Sequence, residues 1–318
     1  MQASVSGALV TAFLATLLLV PGGPAAAQIE HDYTQVKYDR GLNVQPAFEG
    51  WVRNPDGTID LWFGYLNRNW AQRLHIPIGP DNVLEPGGPD HGQPTFFYAR
   101  RHRYAFKVTV PEGWNDEYTW TLTVNGRTDT IHAALFPEDE LLEHNVLAAR
   151  GQGFGIAPRN EPPSIAIDAT EFETDAAGAV TLTARVTDDG LPRPPTARRR
   201  TRSTRPDVPE RTIDPTQGLP RERLVAEWIQ WRGPGRAIFE GATETLPADA
   251  EGRLVGRYYA LESRFDIQRP AAEYPVREEV ASTTVRFSEP GTYVLRGTAR
   301  DGGLISRERL TVTVTVSE

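Results

Sequence analysis

The side chains here with chemistry to offer are six histidines, a crowd of aromatic residues, a few acidic turns and one arginine run. His31, His75, His91, His102, His132 and His144 show no His-x-His or His-x-x-x-His spacing, the arrangement by which one strand or helix presents two metal ligands together. His91 lies in Glu85-Pro-Gly-Gly-Pro-Asp-His-Gly92, where Glu85 and Asp90 could join it around a metal. A polar loop shaped by proline and glycine explains the same string more simply. No Gly-x-Ser-x-Gly is present, so no nucleophile elbow is indicated, and no residue is assigned a catalytic role. An enzymatic alternative survives as a hydrolase with its site near His91 and His102.

Aromatic residues offer a different chemistry. Trp51, Trp62, Phe63, Tyr65, Trp70, Phe96, Phe97, Tyr98, Tyr104, Trp114 and Trp120 crowd one stretch of the chain. Flat exposed rings stack on sugars, although small sandwiches also need large rings in their cores. Trp62 falls on the face opposite Phe63 and Tyr65. Trp70 follows Asn67-Arg68-Asn69, whose amides and guanidinium suit hydroxyl groups. Trp62, Trp70, Asn67 and Arg68 are therefore the expected ligand-binding residues, for a glycan or a protein of the cell envelope.

The acidic turns Asp188-Asp189 and Asp301 are the expected metal residues, for a structural calcium. Calcium takes six to eight hard oxygens, which three carboxylates and nearby carbonyls could supply; Asp-Gly is also ordinary turn chemistry. No other cofactor is expected. Arg198-Arg199-Arg200, with Arg193, Arg202 and Arg205, reads as a solvated loop, with an acidic glycan or an acidic partner as the functional alternative.

The elements that must position these residues repeat with period two. Gln45 to Val52 ends at Asn54-Pro55-Asp56-Gly57, a turn sequence. Thr58 to Leu66 places Ile59, Leu61, Phe63 and Tyr65 on one face. Leu74 to Ile78 is a short strand, and Arg103 to Val110 puts Tyr104, Phe106, Val108 and Val110 on one face. Tyr118 to Val124 alternates with threonines and turns through Asn125-Gly126, a type I′ signal, into Thr128 to Ala133. Pro137 to Arg150 has room for one short helix, and Gly151, Gly153, Gly155, Pro158, Pro162 and Pro163 read as a linker. Beyond it, Val180 to Val186 and Leu310 to Val316 alternate as cleanly as anything before.

The expected fold is all-β: two antiparallel β-sandwich domains joined by a Gly/Pro-containing linker and preceded by a signal peptide. The divisions are a signal peptide at 1–27, an extension at 28–43, a sandwich at 44–136, a short helix and linker at 137–162, and a second sandwich at 163–318. Insertions interrupt the second at 193–223, rich in Arg, Pro and Thr and expected to be loose, and at 241–281, where an extra strand pair or short helix is expected.

Leu9 to Val20 is apolar or small, Pro21-Gly22-Gly23-Pro24 follows, and Ala25-Ala26-Ala27 supplies the small residues of a cleavage site. The run is too short for a permanent anchor across ~30 Å of hydrocarbon. The expectation is a periplasmic or secreted bacterial protein without a stable membrane anchor. The chain contains no cysteine, which removes disulfides, thiolate catalysis and cysteine-ligated zinc. A net charge of −8 does not suit a nucleic-acid partner. The oligomeric state is left open.

Three segments carry a resemblance. Leu182-Thr-Ala-Arg-Val-Thr-Asp-Asp-Gly-Leu-Pro192, Val225 to Phe239 with Trp228 and Gly233-Pro234-Gly235, and Ser282 to Val316 with Tyr293 and Ala299-Arg-Asp-Gly302 together resemble the PKD and REJ-like immunoglobulin-like domains. The resemblance implies a surface or secreted sandwich serving as spacer or interaction module. It sets Trp228 on strand C, Tyr293 at the corner of strand F, and Leu182 and Leu295 where a disulfide would stand. Three buried side chains at ~1.5–3 kcal/mol each would match a disulfide's stabilisation. In the first sandwich, Phe48-Glu-Gly-Trp51, Gly64-Tyr-Leu-Asn-Arg68 and Ile78-Gly-Pro-Asp-Asn82 resemble exported bacterial proteins with no assigned activity. The expected function is non-catalytic: the first sandwich binds and the second spaces or docks. A third reading is a component of a larger surface assembly that binds through the insertions.

Overall fold

The fold is taken from a computed structural model that describes residues 38–148, 160–191, 224–240, 263–267, 276–301 and 303–318, with 263–267 and 276–278 as backbone. The expected signal peptide, most of the linker's glycines and prolines, and the arginine-rich insertion lie outside these residues.

The first module holds β1 (Val44–Arg53), β2 (Ile59–Asn67), β3 (Leu74–His75), β4 (Asn82–Glu85), β5 (Phe96–Phe97), β6 (Arg100–Val110), β7 (Tyr118–Val124) and β8 (Arg127–Ala133). One sheet runs β1-β2-β6, a second β4-β7-β8, and β3 pairs with β5. Ile59, Leu61, Phe63 and Tyr65 all point into the core, as their alternation requires. Phe63 stacks on Phe106 at 5.0 Å, and both meet Trp120 edge-on from the opposite sheet. Asn125 and Gly126 both take positive φ, 51° and 75°, so the hairpin closes through the mirror-image turn that suits strand twist.

Strand β6 departs from its expected pattern. Phe63 pairs with Phe106 but Tyr65 pairs with His102, so Arg103, Tyr104 and Ala105 bulge opposite Gly64 alone. A Cβ on Gly64 would sit 2.5 Å from the His102 carbonyl oxygen, which explains the glycine. The bulge swings Tyr104, at φ 48°, away from Phe106. Tyr104 packs instead with Val52, Val146 and Trp62.

A 3-10 turn at Pro137–Asp139 and helix α1 (Glu143–Leu147) follow. This segment is pinned at both ends. Trp51 donates its indole N–H to Phe136 O and accepts at its own carbonyl from Leu141 N, both at 2.8 Å. Leu147 packs on Leu304 and Ile305, and Glu143 pairs with Arg307.

The second module holds β9 (Ser164–Ile167), β10 (Glu171–Asp175), β11 (Val180–Asp188), β12 (Leu224–Arg232), β13 (Ala237–Phe239), β14 (Ser263–Ile267), β15 (Val276–Phe287), β16 (Gly291–Arg300) and β17 (Leu310–Ser317). Two sheets, β10-β17-β16-β12-β14 and β13-β15-β11-β9, enclose a core in which Leu182, Trp228 and Leu295 are fully buried. Strand β14 and the start of β15 fall within the stretch expected as the second insertion, and β14 extends the sheet beside β12. Tyr293 donates its hydroxyl to Glu289 O at 2.9 Å and accepts from Gly235 N at 3.1 Å, the tyrosine corner of an immunoglobulin-like sandwich. Among the described residues, no helix is long and apolar enough to cross a membrane.

Strand β12 is covered on both faces. Leu224, Ala226 and Trp228 face the second core, whereas Ile229 and Trp231 belong to the first module's apolar cluster. Trp231 Nε1 donates to Gly92 O at 2.9 Å, Thr95 N to Trp231 O at 3.2 Å, and Gln230 N to the Tyr98 hydroxyl at 2.8 Å. Arg232 forks onto Asp90. The bulge carbonyls also serve the junction: Ala105 O accepts from Arg296 and Arg309, and Tyr104 O from Arg309.

Candidate functional site

The residues expected to bind a ligand do not form one surface. Trp62 is hemmed in at the junction, edge-on to Tyr104 at 6.3 Å with Lys107 and the second module's Arg309 over its ring. Asn67 is fully buried. Its amide donates to Gln72 O at 2.8 Å and Phe97 O at 3.3 Å, and its Oδ1 accepts from Asn69. Asn69, also buried, binds both the N–H and the carbonyl of Leu42.

These two amides stitch together three loop segments, residues 38–43, 67–73 and 97–100. Trp70 N donates to Tyr38 O, and Ala71 N and Gln72 N both donate to Asp39 O. With the backbone groups satisfied inside, the alternate side chains turn outward. Arg68 is exposed and Trp70 half-buried. Arg100, absent from the sequence expectation, stacks over Trp70 at 4.1 Å and donates to Arg68 O at 3.0 Å. The sequence signal for the platform lay in the asparagines, whose role is to hold the loop.

The histidines are engaged separately. His102 stacks on Tyr65 at 4.8 Å, lies against Tyr98, and places Nε2 3.1 Å from Ala99 O. Part of the residue reaches solvent, but burial of the ring pushes its pKa down to about 4. His91 meets Tyr118 edge-on and puts Nε2 2.9 Å from Gly88 O. His75 is lowered by burial as well.

The three expected metal residues gather where the second module meets the connecting segment. Asp301 accepts from Gly303 N and Leu304 N through Oδ1 and from Asn160 Nδ2 through Oδ2. Asp189 accepts from Glu161 N and Leu191 N. Asp188, 8% exposed, accepts from Gly190 N through Oδ2 and leaves its buried Oδ1 without a partner. Asn160 Oδ1 is a second buried oxygen without one. Burial, opposed by the Gly190 bond and reinforced by Asp301 and Asp189, pushes the Asp188 carboxyl up to about 7. Asp301 is raised too, chiefly by burial. Among the described residues, no group of three or more His, Cys, Asp or Glu is arranged to hold a metal ion as it stands.

No protein-family model matches the chain, and no curated protein matches it. Solved structures similar to it include the D00-D0 domain of intimin, at 11% identity over 87% of this chain and 100% of that one, with a TM-score of 0.23. Domains 4 and 5 of the S-layer protein SbsC match at 10% identity over 87% and 98%, TM-score 0.23. Invasin, described as a bacterial integrin-binding protein, matches at 12% identity over 87% and 40%, TM-score 0.20. Likenesses at these scores carry no argument; the sandwich assignment rests on the strands, the buried Trp228 and the Tyr293 corner.

Proposed function

We propose that this chain is an exported, non-catalytic binding or surface-interaction protein, acting in the periplasm or outside the cell. The first sandwich takes a glycan or an envelope protein, and the second, a PKD-like sandwich, spaces and docks it. We read residues 44–136 and 163–318 as its two domains. The observation that carries the binding role is the stitched loop platform, in which buried Asn67 and Asn69 commit their amides to the fold so that Arg68 and Trp70 face outward.

A structural calcium belongs to the same proposal. Asp188, Asp189 and Asp301 would hold it, with Asn160 beside them. Two buried oxygens without partners, Asp188 Oδ1 and Asn160 Oδ1, fit a hard cation, since a buried acceptor left unmade costs ~1–3 kcal/mol. The cation would supply charge neutralisation where carboxylates crowd. The hydrolase alternative gains nothing from His102: a general base works best with a pKa near the operating pH, and burial moves this ring well below it.

The test is a screen of the intact protein against glycans and envelope proteins, with calcium and with chelator. A ligand whose binding falls when Trp70→Ala and Arg68→Ala are combined supports the reading. A screen in which nothing binds, or in which the double variant binds as the wild type does, refutes it.

A further inference from the structure

The loop platform carries a charge opposite to that of the chain. Residues 38–43, 67–73 and 97–100 contain Arg40, Arg68, Arg73 and Arg100 against Asp39 alone, in a protein of net charge −8. These arginines come from three separate segments that Asn67 and Asn69 hold together. Arg100 has a φ of 71°, a left-handed conformation that costs a non-glycine residue free energy. In that conformation its guanidinium sits over Trp70 and donates to the Arg68 carbonyl. Arg73 lies over Tyr98 at 5.7 Å, Arg40 and Arg68 are exposed, and Tyr38, whose carbonyl accepts from Trp70 N, is 55% exposed.

From this placement of exposed and stacked guanidiniums around the exposed Tyr38, we infer that the platform binds an anionic polysaccharide, one whose sugars carry carboxylates. This inference rests on the binding role above and narrows its ligand. A guanidinium takes a carboxylate through two parallel hydrogen bonds, and Tyr38 offers apolar ring surface to the C–H face of a sugar. Neutral glycans would make no use of the exposed Arg40 and Arg68 guanidiniums.

The experiment is affinity electrophoresis of the intact protein through gels containing polygalacturonate, its fully methyl-esterified neutral form, or double-stranded DNA. Polygalacturonate should retard the wild type, with a Kd that weakens as salt rises. The exposed-site pair Arg40→Glu/Arg68→Glu should weaken binding by about tenfold or more at unchanged Tm. Arg40→Lys/Arg68→Lys should fall between, since lysine lacks the fork. Retardation that is equal in the esterified polymer, or unaffected by charge reversal, overturns the anionic assignment and leaves the binding role standing. Stronger retention by DNA overturns the saccharide assignment. Retention by none of the three, together with an empty glycan and protein screen, overturns both.

Discussion

Replacing Asp188 by asparagine should make the protein more stable at alkaline pH and leave it nearly unchanged in mild acid. The carboxyl sits at about 7 in the fold and near 3.9 in an unfolded chain. Between those values the native state holds a proton that the unfolded state has released, so stability falls as pH rises through this window and levels off above about 7. The gap bounds the loss at ~4 kcal/mol, and water reaching a site at the module rim reduces it to about 2–4 kcal/mol. Asparagine keeps an acceptor for Gly190 N and carries no charge. The difference in urea-unfolding stability between Asp188→Asn and wild type, measured in chelator, should therefore grow from under ~1 kcal/mol at pH ~4.5 to about 2–4 kcal/mol at pH ~8.5. Millimolar calcium should close that gap by stabilising the wild type. A difference that stays flat across this range would refute the assignment of a strained, buried carboxyl. A difference that grows but ignores calcium would leave the strain and remove the cation.

Other perturbations probe the junction and the second core. Trp231→Ala should cost about 3–5 kcal/mol and split one cooperative thermal transition into two; a single unshifted transition in calorimetry would contradict a shared interface. Tyr293→Phe removes the hydroxyl that bonds Glu289 O and Gly235 N and should cost about 1–3 kcal/mol, read as a drop in urea midpoint at constant slope. Gly297→Ala puts a methyl 2.9 Å from Trp228, so its Tm should fall and its tryptophan emission shift red, as overpacking displaces the indole.

Much of this architecture was legible because the signals were local. Alternation found the faces of β2, β7, β11 and β17, and Asn125-Gly126 announced its own turn. The resemblance placed Trp228, Tyr293, Leu182 and Leu295 correctly without any knowledge of strand order. What escaped was set by pairing across distance. Nothing near Tyr104 signals a bulge; the clue is Gly64, which matters only once β2 lies beside β6. Asn67 reads as a ligand contact in sequence, where an exposed amide and a buried one look alike. The module junction did leave a trace. Leu224-Val-Ala-Glu-Trp-Ile-Gln-Trp231 is apolar at both odd and even positions, the mark of a strand covered on two sides, yet no local pattern says what lies on the second side.

That doubly covered strand bears on how the protein can be cut. A fragment ending before residue 160 keeps every strand of the first module but loses Ile229 and Trp231 from its apolar cluster. Phe106, which meets Trp231 at 6.4 Å, and its apolar neighbours would then face water as a contiguous greasy patch, the kind of surface that drives self-association. Solubility, more than fold, would decide whether such a fragment could be handled, and the transferable cassette is the pair of sandwiches taken whole.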